Sequence, residues 1–296
     1  MKLSGAMTAL VTPFTADDEI DKVGLKKLVQ QQLDGGIDGL VVSGTTGESA
    51  TLTDDEKKIA LEVVLETNSG RVPVILGTGT NSTKKSVHAT KLAKEWGADA
   101  ALVVCPYYNK PTQEGMYQHF RAIFEETGMP IIAYNVPGRT ASDLLPETIG
   151  RLVNDGYIAA VKDATANMQR ASETEALVRG KEDFSLLSGD DFTILPFVAC
   201  GGDGVISVVS HLAPGDCSRL VQLTKQGDWE EARGIQDKLI KLSSVLFSVS
   251  NPIPVKAGVS VLGIAHHRTR LPLETASDNL VETVRGAMID YGGILG

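Results

Sequence analysis

The chain has 296 residues, a formal net charge of -9 and a sequence pI near 5.1. An acidic chain without a basic stripe is a poor match for a phosphate backbone, so we expect no nucleic acid partner. No run reaches the roughly 18 apolar residues that span a bilayer, so we expect no membrane partner. The three cysteines are widely spaced and lack a CxxC pair. We therefore expect no disulfide framework and a reduced, cytoplasmic protein.

Eight short runs rich in Val, Ile and Leu predict β-strands. The predicted strands cover 7–14, 38–44, 73–79, 98–107, 130–136, 158–164, 184–190 and 203–208. Amphipathic segments between the strands predict helices. Four of these helices cover 23–34, 54–67, 82–96 and 113–126. The second begins at a capping box, in which Glu56 follows Thr53 by three residues.

Eight alternations of strand and helix, with nearly continuous apolar strands, indicate an α/β protein whose parallel sheet is covered on its outside. We predict a closed (β/α)8 TIM barrel, with an open doubly wound sheet as the alternative. The barrel domain is expected over residues 1–225 and a C-terminal helical extension over 226–296. In the extension we predict helices over 227–248 and 273–291, with a break at NPIPV between them.

In a barrel of this kind the active site forms at the carboxyl ends of the strands. The ends of strands two, four, five, six and seven carry SGTTGE, CPYYNKP, AYNVPGR, VKDAT and SGDD. We therefore expect hydroxyls, phenols, one lysine and one arginine to converge there, with no histidine among them. The histidines lack metal-ligand spacing and no phosphate loop is present, so neither a metal nor a cofactor is predicted.

Lys162 ends the apolar run of strand six. Side chains alternate along a strand, so Val161 and Asp163 point away from the direction that Lys162 takes. A lysine inside a barrel without a counter-ion is driven towards the neutral amine, which attacks a ketone to form a Schiff base. The alternative is a structural lysine that reaches the barrel mouth and pairs with a carboxylate elsewhere in the chain.

The turn Gly44–Glu48, GTTGE, places two backbone amides beside the hydroxyls of Thr45 and Thr46. Such a turn can hold a small carboxylate while a threonine hydroxyl passes a proton, but it can equally be a βα turn that caps the next helix.

Three of the six tyrosines, Tyr107, Tyr108 and Tyr134, fall at strand ends, and Arg139 follows the fifth strand. Buried phenols often only satisfy a hydrogen bond, and the arginine can bind a substrate carboxylate or brace a loop. The presence of these tyrosines and this arginine at the same end of the barrel as Lys162 and GTTGE therefore supports an active site more strongly than any one of these residues alone.

The motifs GTTGE, PYYNKP, YNVPGR and VKDAT, in this order and spacing, form a specific set. With them the chain resembles the pyruvate-dependent class I lyase and aldolase family, which also includes N-acetylneuraminate lyase. The resemblance runs from about residue 3 into the extension, where NPIPVK and RLPL also look familiar.

The resemblance implies a Schiff-base enzyme and gives each residue a role. It implies that Lys162 forms an imine with pyruvate, whose carboxylate is held by the backbone at Thr45 and Thr46. Thr45, Tyr134 and Tyr108 would form a proton relay, with Tyr108 reaching in from a neighbouring subunit of a homotetramer built as a dimer of dimers.

Three further positions match the family's substrate-binding residues. Arg139 would hold the carboxylate of a second substrate, and Gly189 and Ile206 would contribute backbone groups near the lysine. Thr45 and Arg139 favour the branch that condenses pyruvate with L-aspartate 4-semialdehyde in the diaminopimelate route of lysine biosynthesis. The alternatives are cleavage of N-acetylneuraminate or a 2-keto-3-deoxy sugar acid, and a non-catalytic metabolite-binding protein on the same scaffold.

Members of the family that are inhibited by lysine bind it at a dimer interface. The matching positions here are Ser49, Ala50, Asp54, Lys57, Asn81, Lys85 and Tyr107. Asp54 and Lys57 replace two histidines of those enzymes, and Lys85 replaces the acid that holds the ligand's amine. A like charge repels lysine, so we expect weak or absent inhibition.

Overall fold

Eight parallel strands close into a barrel in strand order β1 to β8 in the computed structural model, which describes residues 1–295. The strands are β1 (Gly5–Ala9), β2 (Gly39–Val42), β3 (Val74–Gly77), β4 (Ala100–Val104), β5 (Ile131–Asn135), β6 (Ala160–Asp163), β7 (Ser185–Ser188) and β8 (Gly204–Ser207). Strand β8 pairs with β1, which confirms the predicted TIM barrel and excludes the open sheet. Each strand overlaps its predicted run, although β1 begins two residues before it.

Helices surround the barrel and form the extension. They are α1 (Lys22–Asp34), α2 (Asp54–Asn68), α3 (Thr83–Glu95), α4 (Gln113–Thr127), α5 (Pro137–Thr140), α6 (Pro146–Asn154), α7 (Met168–Val178), α8 (Ile194–Ala199), α9 (Pro214–Gln226), α10 (Trp229–Leu246), α11 (Ile253–Val261) and α12 (Asp278–Tyr291). The predicted capping box at Thr53 and Glu56 opens α2. Within residues 1–295, no helix is both long and apolar enough to cross a membrane.

Two apolar cores hold the barrel. The inner core fills the barrel interior with alternate strand residues such as Met7, Ile75 and Leu187. The outer core lies between the strands and the surrounding helices. Because strand side chains alternate between the two, each strand is buried on both faces, which explains its nearly continuous apolar sequence.

The predicted break at NPIPV is confirmed for Asn251 and Pro252, which lie between α10 and α11, but it ends earlier than predicted, because Ile253–Val255 already belong to α11. Pro254 occupies the second position of that helix, where the backbone N–H has no intrahelical partner and its absence costs little. The final helix is shorter than predicted and begins after Ser277, whose hydroxyl accepts a hydrogen bond from Leu280 N–H.

The extension shares the outer core with the barrel helices. Val255 of α11 and Met288 of α12 are fully buried in the same cluster that contains Leu28 of α1. The division into 1–225 and 226–296 stays a prediction, since one continuous core spans both parts.

Candidate active site

Strand β6 directs the side chain of Lys162 into the barrel. Lys162 pairs in register with Tyr134 of β5 and Leu187 of β7, which both belong to the inner core. The residues on either side point outwards, as the strand alternation predicts. Val161 lies in the outer core, and the carboxylate of Asp163 accepts a hydrogen bond from Arg170 Nε of α7 at 2.8 Å.

The amine of Lys162 has an aromatic neighbour but no counter-ion among residues 1–295. The residue is 6 % exposed, and its Nζ lies 4.4 Å from the centroid of the Tyr134 ring. Within the described part of the chain, this Nζ forms no hydrogen bond and no ion pair. The carboxylate that a structural lysine requires is therefore missing from the described residues, which favours the chemical interpretation.

Gly189 leaves room for the stem of this lysine. A Cβ at position 189 would lie 2.9 Å from Lys162 Cε and 2.8 Å from Ala164 Cβ. Any larger residue there would displace the lysine or the strand that carries it. Gly189 N–H donates to Asp163 O at 2.7 Å, which holds the glycine beside the end of β6.

Tyr134 and Thr45 line a small cavity of about 30 Å³ between the ends of β2, β3 and β5. The volume admits a group the size of a water molecule. Gly77 permits this arrangement, since a Cβ there would lie 2.0 Å from Ser43 O and would push the turn after β2 outwards. Gly77 is thus a packing residue of this turn.

A larger cavity of about 500 Å³ opens at the same end of the barrel. It is lined by Thr45, Tyr107, Arg139 and Asn251, among others, so Thr45 borders both cavities. Arg139 is exposed and lies on the short helix α5, directly after β5. A cavity of this size with a guanidinium at its edge suits a small anionic metabolite.

The turn Gly44–Glu48 does not present both threonine side chains to the cavity. Thr45 is half-buried at the cavity wall, whereas Thr46 is buried and its Oγ1 accepts a hydrogen bond from Asn251 Nδ2 at 2.9 Å. Two backbone bonds close the turn, from Glu48 N–H to Thr45 O at 3.1 Å and from Ser49 N–H to Gly44 O at 3.2 Å.

Tyr108 does not join the other relay residues within one chain. Its side chain is 88 % exposed, and its backbone is left-handed with a φ of 74°. A tyrosine rarely adopts this conformation without support from its surroundings. Tyr108 does not line the cavity whose wall includes Tyr107 and Thr45.

The other predicted positions divide between the cavity and its surroundings. Ile206 is fully buried in the inner core and paired with Met7. Of the positions matched to a lysine site, Ser49, Ala50, Lys57 and Tyr107 line the larger cavity, whereas Asp54, Asn81 and Lys85 do not.

The sequence alone gave no role to three residues at the site, which are Glu48, Asn251 and Lys256. Asn251 donates a hydrogen bond to Thr46, and Lys256 forms a buried ion pair with Glu48 of the turn. The available signal was the NPIPVK motif, which contains Asn251 and Lys256, together with a glutamate directly after GTTG. Among residues 1–295, no group of three or more His, Cys, Asp or Glu is placed to hold a metal ion.

A buried amine that has no counter-ion among residues 1–295 and lies beside a phenol, which shares a cavity with a threonine-bearing turn at the carboxyl end of a TIM barrel, defines a lyase of the Schiff-base-forming class. The model of the dihydrodipicolinate synthetase family matches residues 2–289. The chain belongs to this family.

Close relatives with assigned activity support this membership. The 4-hydroxy-tetrahydrodipicolinate synthase of Anaeromyxobacter dehalogenans strain 2CP-C is 48 % identical over 291 residues, which cover 98 % of each chain. The crystal structure of dihydrodipicolinate synthase from Thermotoga maritima is 42 % identical, with a TM-score of 0.96 over all of both chains. A chloride-inhibited dihydrodipicolinate synthase from Acinetobacter baumannii, crystallised with pyruvate, is 40 % identical, with a TM-score of 0.94 over 98 % of this chain and 99 % of that one.

Proposed function

We propose that this protein catalyses the 4-hydroxy-tetrahydrodipicolinate synthase reaction, the condensation of pyruvate with L-aspartate 4-semialdehyde in the diaminopimelate route of lysine biosynthesis. The observation that carries the proposal is the buried amine of Lys162, which has no counter-ion among residues 1–295 and lies beside Tyr134. The activity of the relatives and the pyruvate bound by the Acinetobacter baumannii enzyme support the choice of substrate.

Lys162 Nζ attacks the ketone carbon of pyruvate, and loss of water gives an imine. Loss of a proton from the methyl carbon converts the imine to an enamine, whose carbon attacks the aldehyde of the semialdehyde. The amine of the product then attacks the imine carbon, which closes the ring and releases Lys162. Tyr134 and Thr45 move the protons, since both border the same small cavity and the Tyr134 ring lies beside the lysine.

The remaining residues bind the two substrates. The backbone amides of Thr45 and Thr46 hold the carboxylate of pyruvate, and the backbone groups of Gly189 and Ile206 lie near the imine. Arg139 holds the carboxylate of the semialdehyde, which its place at the edge of the larger cavity supports. This arrangement suits a short acidic aldehyde better than the polyol chain of a sialic or sugar acid.

The assembly completes the relay. Tyr108 enters the active site of a neighbouring subunit in a homotetramer built as a dimer of dimers, and the protein works in the cytoplasm. The exposed phenol on a left-handed backbone supports the exchange, because a partner surface would bury the ring and stabilise that conformation.

The mechanism is tested by incubating the protein with pyruvate and sodium borohydride and measuring its intact mass. We expect one reduced pyruvate adduct per chain, which is absent in Lys162→Ala and retained in the control Lys91→Ala, whose lysine is exposed on α3. An adduct that persists without Lys162 would disprove the mechanism. A turnover assay with aspartate semialdehyde and with N-acetylneuraminate then distinguishes the two substrate classes.

A further inference from the structure

The glutamate that ends GTTGE forms a fully buried ion pair with a lysine of the extension. The side chains of Glu48 and Lys256 are each 1 % exposed, and Lys256 Nζ donates to Glu48 Oε1. Burial lowers the pKa of Lys256 to about 8, even though Glu48 acts in the opposite direction. Such a pair contributes little net stability, because desolvation of two charges offsets their attraction. Its value lies in the geometry that it fixes.

The carboxylate of Glu48 joins three segments that are distant in sequence. Besides Lys256, it accepts a hydrogen bond from Arg270 N–H at 2.9 Å. Lys256 Nζ also donates to Arg268 O at 2.6 Å. One buried carboxylate thus ties the turn after β2 to the helix α11 and to the segment that follows it.

Neighbouring groups make this junction rigid. Lys256 Nζ and the Arg270 guanidinium lie 4.1 and 4.3 Å from the centroid of the buried Phe14 ring. Arg270 Nη1 donates to Thr51 O at 3.1 Å, and its guanidinium pairs with Glu56 at 2.5 Å. Cations over a desolvated ring add cation–π attraction to the ion pairs.

The backbone of Glu48 also requires support. Its φ of 56° lies in the left-handed region, which a glutamate rarely adopts unless the surrounding structure holds it there. The amide of Glu48 closes the turn onto Thr45 O, so the same residue bears the strain and carries the ion pair.

We propose that Glu48 and Lys256 are positioning residues for the turn that binds the carboxylate of pyruvate. The ion pair holds the extension against the barrel and fixes the amides of Thr45 and Thr46, while Asn251 fixes the hydroxyl of Thr46 from the same extension. This inference rests on the proposed function for the identity of the ligand, but not for the mechanical role of the pair.

The test uses the full chain and the variants Lys256→Met, Glu48→Gln and their combination, with Lys91→Met as the control at an exposed ion pair. Two quantities are measured well below the unfolding temperature. The first is the pyruvate concentration that gives half-maximal adduct formation with borohydride. The second is the hydrogen exchange of a peptide that covers residues 44–52.

Each single variant is expected to raise the half-saturating pyruvate concentration about tenfold and to speed exchange in 44–52, while the control changes neither. In the double variant the half-saturating pyruvate concentration is expected to rise by less than the product of the two single-variant increases, because this variant leaves no unpaired buried charge. The KM for the semialdehyde should change less than twofold, since Arg139 does not contact the pair.

Unchanged half-saturation and unchanged exchange in folded variants would overturn the inference, because loss of a merely stabilising pair would lower the unfolding temperature and change nothing else. The inference would also be overturned if the increase in half-saturating pyruvate concentration in the double variant equalled the product of the two single-variant increases. If Lys256→Met does not fold, the isosteric Glu48→Gln decides by the same two measurements. If the wild-type protein forms no adduct, the proposed function is wrong, and the exchange data alone decide whether the pair fixes the turn.

Discussion

His211 makes the stability of this protein depend on acidity in a way that one substitution can isolate. The imidazole is fully buried beyond β8, where its Nδ1 donates to Val208 O at 2.8 Å and its Nε2 accepts from Val11 N–H at 3.0 Å. A second proton would remove the acceptor and place a charge in the core. Burial accordingly lowers the pKa of His211 from 6.5 to about 4.

The sign and size of the effect follow from this shift. As the pH falls below 6.5, His211 binds a proton in the unfolded chain, whereas in the folded protein it does not bind one until about pH 4. The contribution to stability is fully present above pH 6.5 and is lost progressively down to pH 4. Between pH 7 and 5 the loss amounts to about 2 kcal/mol, from about 1.4 kcal/mol per pKa unit.

The assay is urea unfolding at pH 7 and pH 5 at one fixed protein concentration. In His211→Gln the amide can replace both hydrogen bonds without titrating, so the wild-type protein should lose about 2 kcal/mol more than the variant over this interval. The control His88→Gln, at an exposed residue of α3, should behave as the wild type. Equal losses in the wild type and His211→Gln would refute the reasoning.

Three further predictions concern the site. Gly189→Ala places a Cβ 2.9 Å from Lys162 Cε, so the rate of borohydride labelling with pyruvate should fall about tenfold or more, and an unchanged rate would contradict the packing argument. Arg139→Ala should raise the KM for aspartate semialdehyde about tenfold or more, because a charge-assisted contact is lost, whereas the KM for pyruvate should change by less than about twofold. Equal increases of the two KM values in steady-state assays would argue against this role. Lysine should inhibit weakly or not at all because of Lys57 and Lys85, so an inhibition constant below about 1 mM in a steady-state assay would contradict the charge argument.

Local patterns determined most of the barrel and the direction of its central side chain. Eight apolar runs of strand length, separated by amphipathic segments, indicated a parallel sheet and favoured a closed barrel, because each strand carries its own pattern of burial. The pairing of β8 with β1 then excluded the open sheet. Alternation placed Lys162 on the face opposite to its neighbours Val161 and Asp163. The structure shows that this face is the barrel interior, since Lys162 is in register with the inner-core residue Tyr134. The motifs at the strand ends then indicated a Schiff-base enzyme.

Only the tertiary structure decided what holds those motifs in place. Glu48 meets Lys256 across 208 positions and Thr46 meets Asn251 across 205, and no local period relates residues so far apart. The same holds for the lack of a counter-ion to Lys162 among the described residues and for the phenol of Tyr108, which does not line the cavity of its own chain. The hydrophobic pattern of a strand or helix reports which of its own side chains are buried. The pairing of distant polar groups, in contrast, is determined only when the barrel closes and the extension packs against it.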